Sequence, residues 1–407
     1  MKVYLLLAVL CAGGAIAQER SGEFIKDQLL VKRREGASPA DARKAFATHG
    51  AREEAEIAQI RVHVLRLPEQ AIERVRAALL KSGEFEFVER DGVAASQAMP
   101  VDPYLPSQWH LYKIDMPGAW LTTMGSANVP IAILDGGVDQ NHPDLAAKVV
   151  PGYNFVSLNS DTSDLTGHGT KVAGAAAAAI DNNIGIASVA GLNPIMPVVV
   201  MNASSYASYS NIAKGITYAA DRGVRIINIS ITGTTASSTL QSAVNYAWNK
   251  KSTVFAAAGN SNSTSPGYPE ACDKVIGVGA TDGNDLRASY SNYGAWIDVV
   301  APGSGIYTTF RGGTYGNASG TSFASPITAA VGALMLSIRP DLTPDQLTSL
   351  LRSSSTDLGS AGFDSTFGAG RVDANRALQA AQQAAAPVEP VPTEPAPAPT
   401  KPGKGNR

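Results

Sequence analysis

Disulfides cannot hold this protein together. Only two of its 407 residues are cysteine, and Cys11 falls in an N-terminal apolar run that reads as a removable leader. The thiol left over, Cys272, has no internal partner, so stability must come from core size or bound metal. No motif surrounds Cys272, and it is assigned no catalytic role. Neither sign of charge dominates: 33 Lys and Arg stand against 35 Asp and Glu, for a formal net charge of −2. Without a basic block, nucleic acid is not an expected partner. Histidines number five, and none lies at metal-ligand spacing from His168, which disfavours zinc. Beyond the leader no stretch reads as a transmembrane span.

The leader begins with Met1-Lys2, continues as VYLLLAVLCAGG and ends on Ala15-Ile16-Ala17. A positive start, an apolar run too short for a bilayer and an A-x-A site before Gln18 define a signal peptide over residues 1–17. Cys11 lacks the small preceding residue that a lipoprotein signal needs. A retained anchor is the alternative.

From residue 18 to 98 the texture changes, with 14 basic and 14 acidic residues among 81. Strands are expected near Gln28–Arg33, Ile60–Leu67 and Phe85–Glu89, and helices at Pro39–Thr48 and Glu69–Lys81. IRVHVLRL and FEFVER alternate apolar with polar, as half-buried strands do. A βαββαβ order suggests a small α+β, ferredoxin-like module. Taken alone it fits any small binding domain.

Residues 99–384 read differently. VPIAILD, IMPVVVM, RIINIS, TVFAAA and VIGVGA are continuous apolar runs, as parallel strands buried on both faces require. Helical patterns alternate with them at Thr170–Ile180, Ser208–Asp221, Thr239–Asn249, Ser325–Ile338 and Thr343–Arg352. The expected fold is α/β, a doubly wound, mostly parallel sheet with its sites at the carboxyl ends of the strands. Residues 385–407 form a proline-rich polar tail that cannot build a core.

Four residues stand out. Ser322, in GTSFASP, begins a helix that is apolar on every face, where free N–H groups favour developing negative charge. Asp135 ends a buried strand in ILDGGVD. His168 lies between glycines in TGHGT, which suggests close approach by another group. Asn260 follows a strand in AAAGN. Each has a plainer role open to it, as helix cap, turn residue or structural histidine. Together they supply nucleophile, base, orienting carboxylate and oxyanion donor for acyl transfer. An aspartic protease would want a second aspartate motif. An α/β-hydrolase would order its residues Ser, Asp, His around G-x-S-x-G, which GTSFA does not match.

In these motifs the chain resembles the subtilases, the subtilisin-like serine proteases. ILDGGVDQNHPDL is similar to the family's aspartate motif, GHGTKVAG to its histidine motif, AAAGN to its oxyanion asparagine and GTSFASP to its serine motif. The resemblance implies a serine endopeptidase in which Ser322 attacks, His168 is base and then acid, Asp135 orients His168, and Asn260 holds the oxyanion. It implies a P1 pocket at Ser230, Ile231, Thr232, Gly233, Ala257, Gly259 and Gly267. An edge strand for the substrate backbone is implied at Ser205, Tyr206 and Ala207, with Tyr209 at a further pocket. A structural Ca²⁺ site is implied at Asp102, Asp144 and Asn182 and the carbonyls of Ile180, Ile184 and Ile186. The 18–98 module resembles the subtilase propeptide, an intramolecular inhibitor and folding aid. The implied product is a secreted monomer, extracellular or periplasmic, that acts on polypeptides, matures by self-processing between about residues 95 and 100, and has no membrane attachment once the signal is removed. A cis Tyr268-Pro269 bond is also implied. Thr232 stands where the pocket wall usually has glycine, and Lys171 and Ile327 stand where histidine is common; both are expected behind the site. A dead subtilase serving as a binding or assembly module is the rival reading, but such proteins usually lose one of the four residues retained here. A second rival keeps the chemistry and prefers esters or one dedicated processing site.

Overall fold

A computed structural model describes residues 24–92 and 99–385. The expected signal peptide and nearly all of the proline-rich tail lie outside the described residues. The chain divides into two compact units, Met1–Ser96 and Gln97–Arg407.

In the first unit, β1 (Phe24–Arg33), α1 (Pro39–Thr48), β2 (Arg52–Ile57), β3 (Val62–Arg66), α2 (Ile72–Ser82) and β4 (Phe85–Gly92) follow in the expected βαββαβ order. They form an antiparallel sheet ordered β2-β3-β1-β4. The Ser38 hydroxyl accepts from the Ala40 N–H and Pro39 opens α1, a pairing that suits a helix start. Leu29, Phe46, Leu65, Leu79 and Phe85 fill a small core. Strand β2, which was not individually expected, reads REEAEI and is largely exposed, so it lacks the apolar alternation that betrays a strand.

The second unit carries a seven-stranded sheet of β5 (Ile131–Asp135), β6 (Tyr153–Asn154), β7 (Ile195–Val199), β8 (Ile226–Ile229), β9 (Thr253–Ala257), β10 (Val275–Thr281) and β11 (Val299–Pro302). Its order is β11-β10-β9-β8-β5-β7-β6, and every pairing is parallel. All of these strands except the two-residue β6 are buried throughout, which is why they are rich in Ile, Val and Ala. Two large apolar clusters form, one involving α3 (Trp109–Lys113), α4 (Met116–Thr122), α5 (His168–Ala177) and α8 (Thr321–Ile338), the other α6 (Tyr209–Asp221) and α7 (Ser238–Asn249). Helices therefore cover both faces, as a doubly wound fold demands. Helix α8 has the length and apolarity to cross a membrane, but 89% of it is buried inside the protein. It is a core helix, and its all-round apolar surface follows from that.

Candidate active site

Strand β5 ends on Asp135, which is fully buried and accepts the Gly136 N–H at 2.8 Å. Helix α5 starts at His168 after Gly167, whose φ of 76° suits glycine. A Cβ on Gly169 would collide with the Gly137 carbonyl and crowd Asp135, so glycine lets the helix start lie against the strand end. The result is an imidazole whose Nδ1 is 3.0 and 2.9 Å from the two carboxylate oxygens of Asp135. The nearby carboxylate raises the His168 pKa above its ordinary value, while burial and the Lys171 charge oppose it. Asp164 fixes the turn before α5 by accepting the Thr166, Gly167 and Thr170 N–H groups at 2.7–2.9 Å. It went unnoticed in the sequence, although an aspartate four residues before a helix-opening histidine is a capping signal.

Ser322 lies in the first turn of α8. Pro326, four residues on, has no N–H to give the Ser322 carbonyl. The Ser230 hydroxyl takes that place at 2.9 Å, and the Ser322 hydroxyl donates in return to the Ser230 carbonyl at 3.3 Å. Among the described residues, that carbonyl rather than His168 is the hydrogen-bond partner of Ser322 Oγ. Behind Ser230, Asn228 Nδ2 donates to Ser230 Oγ at 3.0 Å and Ser325 donates to Asn228 Oδ1 at 2.7 Å. Asn260 follows β9, and its Oδ1 is held by Thr321.

One cleft of about 360 Å³ is lined by His168, Lys171, Asn260, Phe310, Asn317, Ala318, Ser319, Ser322 and Phe323. Asp135 lies behind His168. The expectation for Lys171 needs correction: it lines the cleft, with Nζ 5.1 Å from the Phe310 ring centre. A cation over an aromatic face is a favourable and half-solvated arrangement, whereas Ile327 is fully buried in the core. Cys272 is buried, and burial pushes its thiol up to about 11, which leaves it unreactive.

Of the residues expected around substrate, Ser230 bonds directly to Ser322. Gly233 and Tyr268 exchange backbone hydrogen bonds at 2.9 and 2.8 Å. This joins the Ser230, Ile231, Thr232 and Gly233 segment to the segment containing Gly267. Ala257 ends β9, and the Gly259 N–H donates to Thr321 Oγ1 at 3.0 Å. The Tyr268-Pro269 bond is cis. Ser205 has a φ of 63° and closes a turn on Asn202, while Tyr206 is 76% exposed and Ala207 bridges Met201. Tyr209 Oη donates to the Thr235 carbonyl at 2.9 Å.

Asp102 and Asp144, both buried, meet the loop of Ile180, Asn182, Ile184 and Ile186. Asp102 accepts the Asp181 and Asn182 N–H groups at 2.8 and 3.3 Å. Asp144 accepts Asn182 Nδ2 at 3.0 Å and the Ile186 N–H at 2.9 Å. Burial and then the Asp144 charge hold the Asp102 carboxyl above its usual range. The Tyr315 hydroxyl lies beside Asp144.

A serine at a helix start and a carboxylate-paired imidazole, sharing one cleft past the carboxyl ends of interior parallel strands, make an architecture that serine hydrolases use. The subtilase family profile matches residues 126–370, and the chain belongs to that family. The fervidolysin N-terminal prodomain profile matches residues 12–91. Thermitase of Thermoactinomyces vulgaris is 48% identical over 239 residues, covering 58% of this chain and 85% of that protein. A thermophilic serine proteinase of Bacillus sp. (strain AK1) is 39% identical over 317 residues, covering 78% and 79%. A protease from Pseudoalteromonas arctica superposes with a TM-score of 0.66 at 34% identity, covering 70% of this chain and all of that one. The protein is a subtilisin-like serine endopeptidase with an N-terminal prodomain.

Proposed function

We propose that Ser322, His168, Asp135 and Asn260 are the catalytic residues of this endopeptidase, which is exported, stabilised by calcium and matured by its own activity. The observation that carries this is the Asp135–His168 pair, at 2.9–3.0 Å, beside a cleft shared by Ser322 and Asn260. Serine is a poor nucleophile until a base takes its proton. With Nδ1 committed to Asp135, the imidazole presents Nε2 to the nucleophile. The distance between base and nucleophile in an unliganded protein often tightens only when substrate binds. Ser322 Oγ attacks the scissile carbonyl while His168 takes its proton. The oxyanion settles between the Ser322 N–H and Asn260 Nδ2. His168 then returns the proton to the leaving amine, and water, activated by His168, hydrolyses the acyl-enzyme.

Asp102, Asp144, Asn182 and the carbonyls of Ile180, Ile184 and Ile186 would hold the calcium ion. Two buried carboxylates without a basic partner among the described residues, close enough for the charge of one to raise the pKa of the other, fit a hard cation. The ion would neutralise these carboxylates and tie distant segments together.

The prodomain supports zymogen synthesis, and the N-terminal leader supports export. The test is expression of the Ser322→Ala precursor. It should accumulate uncleaved near Gln97, while isolated residues 18–97 inhibit mature enzyme. Normal trimming of the purified mutant would rule out self-processing.

A further inference from the structure

Glu270 is only 1% exposed, yet it has no basic partner among the described residues. One carboxyl oxygen takes the Thr232 hydroxyl, and the other has no partner. An orphaned buried carboxyl oxygen is costly, and the fold does not explain it. Its place does. The Gly233–Tyr268 pairing sets the Thr232 wall against the Gly267 wall. A side chain on Gly267 would run into both the Glu270 carboxyl and the Thr232 hydroxyl. Glycine there lets the acid and the hydroxyl pack directly against the backbone of the Gly267 wall. Thr232 is the exposed member of the pair and Glu270 lies behind it.

We infer that Glu270 is the recognition carboxylate of the P1 pocket and that the enzyme cleaves after lysine or arginine. This rests on the reading of Ser230–Gly233, Gly259 and Gly267 as that pocket. A basic side chain entering over Thr232 supplies the donors the free oxygen lacks, and charge-assisted bonds of this kind are the strong ones. Burial pushes the Glu270 carboxyl up to about 8, so the empty pocket holds a neutral acid near pH 7. An incoming cation favours the ionised form and drives a proton into solvent. The titratable neighbour is Cys272, whose thiol stays protonated throughout this range.

The experiment compares mature wild type with Glu270→Gln on peptides that differ only at P1: Arg, Lys, Met, Phe or Ala. Rates are normalised by titrating active serines with a fluorophosphonate. Wild type should favour Arg or Lys over Met at least about tenfold in kcat/KM, the ratio rising between pH 6 and 9. Glu270→Gln should lose about that factor on Arg and Lys, with Met and Phe held within about threefold. If the variant does not fold, the wild-type P1 profile and its pH dependence decide. Wild-type preference for Ala, Met or Phe overturns the inference, as does an equal loss on all five peptides. Failure of the peptidase reading looks different: no peptide is cleaved and the phosphonate does not label the wild type.

Discussion

Thr321 grips Asn260 twice. Its backbone N–H and its hydroxyl both donate to Asn260 Oδ1, each at 2.9 Å, which turns Nδ2 away from Thr321. The same hydroxyl accepts the Gly259 N–H at 3.0 Å, so the residue before Ser322 positions the side chain proposed as oxyanion donor. Asn260→Ala should lower kcat by about 10²–10³ with little change in KM, the cost of removing the matching donor in subtilisin. Thr321→Val keeps the backbone anchor and should cost less. Steady-state kinetics decide; a Thr321→Val loss as large as that of Asn260→Ala would mean that the hydroxyl alone orients the amide.

The Asp135–His168 pair sets the pH dependence. His168 must be neutral to act as base, and Asp135 is the largest cause raising its pKa. Activity should therefore rise with pH through a value above the ordinary 6.5. Lys171 works in the opposite direction, so Lys171→Met should shift the acid limb of kcat/KM to higher pH. Asp135→Asn should shift it lower and cut turnover by about 10⁴ through loss of the correct tautomer. Limbs that stay in place in both variants would detach His168 from the observed ionisation.

Calcium should matter to stability far more than to chemistry. Asp102, Asp144 and Asn182 come from distant segments, so their site does not exist in the unfolded chain and binding adds to folding free energy. At free calcium a hundredfold above Kd, the gain is about 2.7 kcal/mol. EGTA should speed thermal inactivation of the mature enzyme, and Asp144→Ala should inactivate fast with or without it. Equal rates in all samples would remove calcium from the account.

Much of this was legible in the sequence because the determining features are local. Continuous runs such as IAILD and TVFAA announce strands buried on both faces, and glycine-flanked His168 announces close packing. What was missed is set by distant residues. Strand β2 is polar, and the hairpin of β12 (Ile306–Phe310) and β13 (Thr314–Ala318) ends in TYGNA, which no periodicity marks. Glu270, one residue after a proline in a turn-rich stretch, reads as solvent-exposed. Thr232, supplied by the segment after β8, and Gly267 lie against its carboxyl. Lys171 is one helical turn from His168, but which side of that turn meets the cleft depends on Phe310.

The most direct test of the central claim is reaction of the mature enzyme with a fluorophosphonate, followed by peptide mapping. One phosphonyl group should attach per molecule, on Ser322, with peptidase activity falling in proportion. His168→Ala should suppress the labelling, and Ser322→Ala should abolish both labelling and turnover. Wild-type turnover by Ser322→Ala, or inactivation by labelling at another residue, would contradict the account.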